Sequence, residues 1–427
     1  MAVLVLFLSL ALCLLFTVPI GAAIGISSLA AILVSPSIQL TFLARSLVST
    51  VDSFPLMAVP FFILAGELMS RGGISVRLLN VARALFGKYT GGYGFVAVMA
   101  CLFFSTLSGS GPATVAAMGS LMIPAMIDKG YSKEYSAALC ACAGSMGVIT
   151  PPSIPMIVYG VAVGASIGNL FIAGIIPGIL VAIALVIMNY FVSKKAGYVG
   201  DPTIFTNRER LKIIWNAKFS LCVPFIILGG IYGGIFTPTE AAAVAVFYGL
   251  VIGVFVYRDI KPKDLYGIFA RAGLTTATIL IIIGAATAFG RIMTMEQIPA
   301  RLSSFILGIT ANKYIILLIL NITLLVLGLF METLSAILIL APILLPIAES
   351  VGVDRIHFGI IMVVNLAIGF NTPPVGVNLF VASGIAKIPF DAITKAAVRP
   401  VLTMIVVLML ITFVPQVSLF LPGLMLR

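Results

Sequence analysis

Apolar runs of the length that crosses a lipid bilayer recur along almost the whole chain. Residues 219–235, 241–257, 274–289 and 401–414 approach or reach the roughly 20 apolar residues that span a hydrocarbon core. Of the 427 residues, 61% are hydrophobic and only 9% are charged, whereas soluble domains carry about 25% charged residues. A water-soluble fold would therefore lack a polar surface. The sequence predicts an all-α, polytopic membrane protein, because a backbone in lipid must satisfy its own hydrogen bonds.

The distribution of polar residues argues against several other classes of protein. The net charge of +11 comes from Lys and Arg residues that stand singly or in pairs between apolar runs, so we expect them to orient the chain in a membrane rather than to bind nucleic acid. The five cysteines lie within apolar runs and form no Cys-x-x-Cys pair, which argues against a metal or disulfide framework. His357, the one histidine, is predicted to lie in a loop beside Arg355. The apolar runs contain no Ser/His, paired-aspartate or His-x-x-x-His arrangement, and we expect no enzymatic activity.

The chain contains an internal duplication with a constant offset of 222 residues. The offset aligns four features without a gap: Pro124 with Pro346, Gly130 with Gly352, Lys133 with Arg355, and the Thr-Pro-Pro at 150–152 with the Thr-Pro-Pro at 372–374. Proline and glycine interrupt helices, so their recurrence at one spacing indicates two halves that share one fold.

The charges between the apolar runs predict how the two halves lie in the membrane. The basic segment 193–218 is predicted to be a cytoplasmic linker by the positive-inside rule. Counting crossings from this linker makes residues 92–128 a re-entrant hairpin, which turns at the Ser-Gly-Ser-Gly-Pro of 108–112. Each half then has an odd number of crossings, which inverts the second half relative to the first. The predicted units are a first repeat at 1–192, with its hairpin at 92–128 and its broken helix at 132–166, and a second repeat at 219–427, with its hairpin at 313–350 and its broken helix at 355–386.

The two Thr-Pro-Pro breaks predict two sodium sites. In secondary transporters with inverted repeats, ions and substrate bind where broken helix ends meet. Proline removes a backbone donor, so the carbonyls before Pro151 and Pro373 lose their partners and are free to bind a small cation. The negative dipole at a helix carboxyl end favours the same ion. The first predicted site comprises Ser105, Thr106, Ser108, Gly147, Val148 and Thr150, and the second comprises Gly328, Thr333, Gly369, Asn371, Thr372 and Val375.

The amino ends of the interrupted helices predict an anionic substrate, because their dipoles are positive. The candidate hydrogen-bonding residues are Ser110, Thr114, Ser153 and Asn378. Two alternatives stay open at this point. The hydroxyl groups could simply bond to their own helices, and each Thr-Pro-Pro could simply kink a packed helix.

Three acidic residues lie in or beside apolar runs, where a carboxylate suggests a function. Glu332 is at the turn of the second hairpin and is the best charged candidate for a proton or sodium role. Helix capping, or an ion pair with Arg71 or Arg291, is the simpler interpretation for Glu67 and Glu240.

Four motifs give the chain a resemblance to a known family. They are Ala-Gly-Glu-Leu-Met at 65–69, Ser-Gly-Ser-Gly-Pro-Ala-Thr at 108–114, Gly-Val-Ile-Thr-Pro-Pro at 147–152 and Gly-Phe-Asn-Thr-Pro-Pro-Val-Gly at 369–376. With these motifs the chain resembles, from end to end, the large membrane (DctM-like) subunit of the tripartite ATP-independent periplasmic (TRAP) transporters of bacteria.

The resemblance implies an elevator-type secondary transporter of the bacterial inner membrane, in which a domain of hairpins and broken helices slides against a scaffold. It implies sodium-coupled import of an organic acid anion, such as a dicarboxylate, a keto acid or a sialic acid. It also implies two partners, a small four-helix membrane subunit and a periplasmic substrate-binding protein. The chain lacks the additional amino-terminal helices of fused versions, so the small subunit is expected to be a separate polypeptide.

A stand-alone sodium/dicarboxylate symporter with the same inverted-repeat architecture is the alternative. It would transport its substrate without a binding protein, which separates the two hypotheses. Both hypotheses are of ion-driven transport. The chain contains no Gly-x-x-x-x-Gly-Lys-Ser/Thr motif for nucleotide binding, so we do not expect transport driven by ATP.

Overall fold

The regular structure of the chain is helical. The computed structural model describes residues 2–16, 18–35, 39–200, 205–310 and 312–425, and no β-strand occurs in these ranges. The first half contains α1 (Ala2–Leu15), α2 (Ile20–Val34), α3 (Thr41–Val51), α4 (Ala58–Arg71), α5 (Ile74–Phe86), α6 (Gly92–Ser108), α7 (Gly111–Thr114), α8 (Ser120–Asp128), α9 (Lys133–Gly144), α10 (Met146–Ile149), α11 (Ile154–Val163) and α12 (Ile167–Ala196). The second half contains α13 (Asn207–Asn216), α14 (Lys218–Tyr232), α15 (Pro238–Val251), α16 (Pro262–Met295), α17 (Ile298–Ile309), α18 (Lys313–Gly328), α19 (Thr333–Ser350), α20 (Arg355–Gly369), α21 (Val377–Ala386), α22 (Phe390–Phe413) and α23 (Gln416–Met425). The prediction of an all-α fold is confirmed.

Many of these helices match the thickness of a bilayer. Among the described residues, six helices are long and apolar enough to cross a membrane, or eight if each of two bent pairs counts as one span. One bent pair joins α9 and α10 to α11 at 41°, and the other joins α13 to α14 at 57°. The chain therefore has the polytopic membrane architecture that its apolar runs predict.

The two halves repeat the same order of elements at the offset of 222. In the first half the hairpin arms are α6 and the continuous stretch from α7 to α8, which includes a π-helical turn, Val115–Gly119. In the second half the arms are α18 and α19. An interrupted helix follows each hairpin, α9 to α11 and α20 to α21, and the bonds Pro151–Pro152 and Pro373–Pro374 at the interruptions are both cis.

Packing between the halves also repeats. By order along the chain, α15 corresponds to α2, and α16 corresponds to α3 and α4 together. The helix α2 packs against α16, and α15 packs against α4. Likewise, α9 packs against α22, and α20 packs against α12. The contacts that a helix of the first half makes with the second half are thus repeated by its counterpart in the second half.

The interrupted helices lie at the centre of the molecule. Every residue from Tyr135 to Gly144 of α9, and from His357 to Gly369 of α20, is buried. A helix that is apolar on all sides is typical of such a position. The predicted loop position of His357 was wrong. Asp354 accepts hydrogen bonds from the backbone N–H of His357 and its neighbour, so α20 begins before the histidine and buries it with Nε2 3.3 Å from Thr412 O.

Glu240 has a local partner, whereas Glu67 has one local and one distant partner. Thr237 and Glu240 form a capping box at the start of α15, with Thr237 N donating to Glu240 Oε2 at 2.8 Å and Glu240 N donating to Thr237 Oγ1 at 3.3 Å. Glu67 of α4 forms ion pairs with Arg71 at 3.8 Å and with Arg271 of α16 at 3.6 Å. Capping is therefore the role of Glu240, and Arg271 rather than Arg291 is the second partner of Glu67.

The segment between the halves contains helical structure. The helix α12 continues past residue 192 to Ala196, and α13 lies within the predicted linker 193–218. None of the residues of α13 is buried, so this helix lies on the surface. Residues 201–204 of the predicted linker lie outside the described residues.

Candidate functional site

The tip of the first hairpin is a short turn rich in oxygen atoms. The helix α6 ends at Ser108, and Gly109 takes a φ of 60°, which glycine adopts without strain. The Ser108 and Thr114 hydroxyl oxygens are 2.6 Å apart, and Thr114 Oγ1 also donates to Ser110 O at 2.8 Å. The turn therefore holds hydroxyl and carbonyl oxygens within a few ångströms of one another.

The first helix break faces this turn. Thr150 Oγ1 donates to Met146 O at 2.7 Å, and Ser153 Oγ donates to Val148 O at 2.6 Å. Thr150 and Ser153 have extended backbone conformations on either side of the two prolines, which cannot continue the hydrogen-bond ladder. The backbone N–H of Ile154 donates to Gly109 O at 3.3 Å, which ties the start of α11 to the hairpin tip.

The structure brings most of the first predicted sodium set together. The hydroxyl groups of Ser105 and Thr150 are hydrogen-bonded to each other. A Cβ atom at Gly147 would overlap Ser110 O and Thr114 Oγ1, so glycine permits this contact between break and tip. Thr106 has no hydrogen bond to the break within the described residues, and its half-buried hydroxyl group donates to Phe103 O of its own helix at 2.7 Å.

The second break meets the second hairpin in a similar way. A Cβ atom at Gly369 would come within 2.9 Å of the Gly328 carbonyl carbon, so these two glycines let α20 and α18 touch. The backbone N–H of Val375 donates to Leu329 O at 3.4 Å. Thr333 is buried at the start of α19. The hydroxyl group of Thr372 bonds back to Ile368 O at 2.9 Å.

The four predicted substrate residues fall into different settings. Ser110 is half-buried and lines the main cavity. Thr114 and Ser153 are buried, and their hydroxyl groups already have partners in the hairpin tip and in the break. Asn378 is buried and donates to Ala141 O at 3.2 Å. Ser110 is thus the predicted substrate residue that the cavity exposes.

A cavity of about 800 Å³ lies between the first hairpin, the first break and the helices α4 and α16. Its lining includes Gly66, Glu67, Ser70 and Arg71 of α4, Ser108, Ser110, Pro112 and Ala113 of the first hairpin, Val148, Ile154 and Pro155 of the first broken helix, Thr275, Thr278 and Ile282 of α16, and Glu332, Leu334, Phe370 and Val377 of the second half. The cavity therefore joins both halves at their interruptions, which is where ligands bind in proteins of this architecture.

The donor set at the breaks consists of hydroxyl and carbonyl oxygens. No group of three or more His, Cys, Asp or Glu residues that could hold a metal ion occurs in the described part of the chain. Ser105 and Thr150 place two hydroxyl oxygens at the first break, and Thr114 and Ser110 place a hydroxyl and a carbonyl oxygen at the hairpin tip. This chemistry suits a hard monovalent cation and does not suit a transition metal.

Glu332 caps the second arm of the second hairpin. Its Oε2 accepts from the backbone N–H groups of Leu334 at 3.0 Å and Ser335 at 3.2 Å. A carboxylate in this position satisfies orphan donors and complements the helix dipole. The contacts give the carboxylate a structural role, whereas its place in the cavity wall would also allow a role in ion transfer.

Substitution of Glu332 separates these two roles. We expect Glu332→Gln to retain most uptake, because the amide oxygen still accepts both N–H groups. We expect Glu332→Ala to lower the thermal stability of the purified protein by about 0.5–2 kcal/mol through loss of the cap. Uptake and unfolding in detergent are measured for both variants. If Glu332→Gln is inactive but normally stable, the negative charge is required and capping is not the main role.

Sequence reasoning missed two groups of residues at the site. Thr275 and Thr278 of α16 line the cavity, and the signal that could have found them is a run of threonines inside an otherwise apolar helix. Ser145, which separates α9 from α10, accepts a hydrogen bond from Asn371 at 2.5 Å. No local signal distinguishes it from other buried serines, because its partner is 226 residues away.

Comparison with known proteins identifies the family. The family model described as "Tripartite ATP-independent periplasmic transporter, DctM component" matches residues 7–417. The chain belongs to this family. It is a multi-pass protein of the bacterial inner membrane and the large permease component of a TRAP transporter, and its named relatives are permeases rather than enzymes.

Individual relatives cover nearly all of this permease. It is 50% identical over 98% of its length to the isethionate TRAP transporter permease protein DctMQ of Oleidesulfovibrio alaskensis, and it spans 66% of that longer chain. It is 41% identical to the sialic acid TRAP transporter large permease protein SiaM of Vibrio cholerae, covering 96% of this chain and 95% of that one. The crystal structure of the Alcanivorax borkumensis YdaH transporter shares the fold, with a TM-score of 0.65 at 15% identity over 96% of this chain and 97% of that one.

Proposed function

We propose that this large permease imports an organic acid anion in symport with sodium. The observation that carries the proposal is the pair of helix breaks, each pressed against its own hairpin with oxygen atoms at the contact. At the first break these are the Ser105 and Thr150 hydroxyl groups, and at the second break Gly369 packs against the carbonyl of Gly328. Helix carboxyl ends, together with hydroxyl and carbonyl oxygens, favour a small cation.

The anion would bind in the 800 Å³ cavity beside the first hairpin. The amino end of α7 opens at Ser110 and Gly111, and Ser110 lines the cavity. At the second hairpin, Glu332 already occupies the backbone N–H groups of Leu334 and Ser335. The positive end of a helix is therefore more available to a carboxylate or sulfonate at the first hairpin than at the second.

The names of relatives support an organic acid as the substrate class. They refer to isethionate, sialic acid and C4-dicarboxylate, which are all acids that are anionic at neutral pH. Isethionate is the first compound to test, because the relative named for it is 50% identical to this chain. Dicarboxylates, keto acids and sialic acids are the next candidates.

We propose that the permease works with a small membrane subunit and a periplasmic substrate-binding protein that delivers the anion. Its movement would be of the elevator type, with the hairpins and interrupted helices sliding against a scaffold that includes α4 and α16. Two features support this division. The cavity lies between these two sets of helices, and Gly66 of α4 faces the hairpin tip, where an added Cβ atom would lie 3.5 Å from the main chain of Ser108.

Reconstitution tests the proposal. The permease and its small subunit are reconstituted into proteoliposomes, and the binding protein is added outside. Uptake of labelled isethionate is then measured with and without an inward sodium gradient. We expect uptake to require both the gradient and the binding protein. Uptake that is the same without a sodium gradient contradicts sodium coupling, and uptake by the permease alone favours a stand-alone symporter.

A further inference from the structure

Three buried polar side chains connect the two halves at their interrupted helices. Ser145 lies where α9 gives way to α10, and Asn371 and Asn378 lie on either side of the second break. The side-chain N–H₂ groups of Asn371 and Asn378 donate to Ser145 Oγ at 2.5 and 3.1 Å. All three side chains are at most 1% exposed. One hydroxyl group of the first half therefore holds two amides of the second half.

The orientation of both amides is fixed by the backbone. Asn371 also donates to Ala367 O, and Asn378 also donates to Ala141 O, each at 3.2 Å. The Oδ1 atoms of both residues are buried and have no hydrogen-bond partner in the described chain. A buried amide oxygen without a partner is unfavourable. A cluster that served stability alone would be expected to satisfy both oxygens.

The cluster does not follow from the duplication. At the offset of 222, the counterparts of Ser145, Asn371 and Asn378 are Ala367, Ile149 and Met156. All three counterparts are apolar. The polar link therefore occurs once, between the halves, rather than once in each half.

The cluster adjoins both predicted sodium sites. Ser145 is two residues from Gly147, which contacts the first hairpin tip, and Asn371 is next to Thr372 in the second break. A movement of either break changes the distance between Ser145 and Asn371. The hydrogen bond thus makes the arrangement of one break depend on the arrangement of the other, and such a dependence is reciprocal.

We propose that the Ser145 hydroxyl group is a positioning group that couples the two sodium sites, so that occupancy of one favours occupancy of the other. The proposal rests on the sodium coupling proposed above. In this proposal Ser145 is not itself a ligand of the ions or the substrate. It acts through Asn371 and Asn378, which it holds at the second break.

Sodium titration of Ser145→Ala tests the coupling. Two readouts are used: uptake in the reconstituted three-component system, and thermal stabilisation of the detergent-purified permease by sodium chloride relative to choline chloride. For the unmodified chain we expect a Hill coefficient approaching about 2, the number of coupled sites. In Ser145→Ala we expect it to fall to about 1 and the half-saturating sodium concentration to rise about fivefold or more. Ser145→Thr keeps a hydroxyl group and should restore cooperativity.

A matched control is available on the same helix. Ser136 is buried in α9, and its one side-chain hydrogen bond among the described residues is local, from its hydroxyl group to Ser132 O at 2.8 Å. Ser136→Ala should leave both sodium curves unchanged.

The outcomes distinguish the coupling from the function on which it rests. Sodium-dependent uptake with the same Hill coefficient in Ser145→Ala as in the unmodified chain overturns the coupling and leaves sodium symport intact. Equal effects of Ser136→Ala and Ser145→Ala also overturn it. Uptake by the unmodified chain that ignores sodium overturns both proposals.

Discussion

Replacing Gly147 or Gly369 with alanine is expected to reduce uptake by roughly 100-fold, the effect of misplacing a binding group by about an ångström. These two residues are counterparts at the offset of 222. Each lies where an interrupted helix contacts the hairpin of its own half, and its lack of a side chain allows that contact. The added Cβ at Gly147 overlaps Ser110 O and Thr114 Oγ1, and at Gly369 it overlaps the main chain of Gly328. Main-chain atoms cannot rotate away as a flexible side chain can.

Gly384→Ala is the matched control for these glycine variants. Gly384 lies in α21, and a Cβ atom built there has no atom within 4 Å. The control should transport like the unmodified chain, because alanine is also the better helix former. Initial rates of isethionate uptake at equal protein abundance provide the measurement. If Gly147→Ala and Gly369→Ala transport as fast as Gly384→Ala, close contact between break and hairpin is not needed for transport.

Replacing Thr150 or Thr372 with valine is expected to raise the half-saturating sodium concentration about tenfold, which corresponds to about 1.4 kcal/mol of lost binding free energy. Valine keeps the shape of threonine and removes only the oxygen. Thr150 hydrogen-bonds to Ser105 and donates to Met146 O at 2.7 Å. Thr372 donates to Ile368 O at 2.9 Å. The amount of protein should fall less than the sodium affinity, because valine fills the same space and removes one hydroxyl group.

Thr287→Val serves as the control for the threonine variants. Thr287 lies in α16 and donates to Ile283 O at 2.9 Å, so it has the same local bond but is away from both breaks. Its sodium dependence should match that of the unmodified chain. Unchanged sodium activation in both Thr150→Val and Thr372→Val would remove the support for placing the sodium sites at the breaks.

Much of the fold could be predicted because its signals are local. Glycine and proline interrupt a helix wherever they stand, so the turn after Ser108 and the breaks at Thr150 and Thr372 could be recognised without knowing what packs around them. The repeated offset then related the second hairpin to the first. Glu240 could be interpreted as a cap because its partner, Thr237, is three residues away.

Predictions that depended on distant partners were less complete. Arg271 rather than Arg291 pairs with Glu67, because the 34-residue helix α16 brings this earlier residue to α4. His357 was placed in a loop because charged neighbours suggest exposure, but the cap at Asp354 starts the helix early enough to bury it. The hydroxyl group of Thr106 also faces its own helix rather than the break.

The sequence by itself determined that this protein is a helical membrane transporter of two related halves with a hairpin and a broken helix in each. Apolar length, proline and glycine act over a few residues, so these properties do not depend on the rest of the fold. Only the tertiary structure decided that Ser145 contacts Asn371 and Asn378, and that α4 and α16 line the cavity. Those contacts join residues that are hundreds of positions apart, and they form only when the two halves pack together.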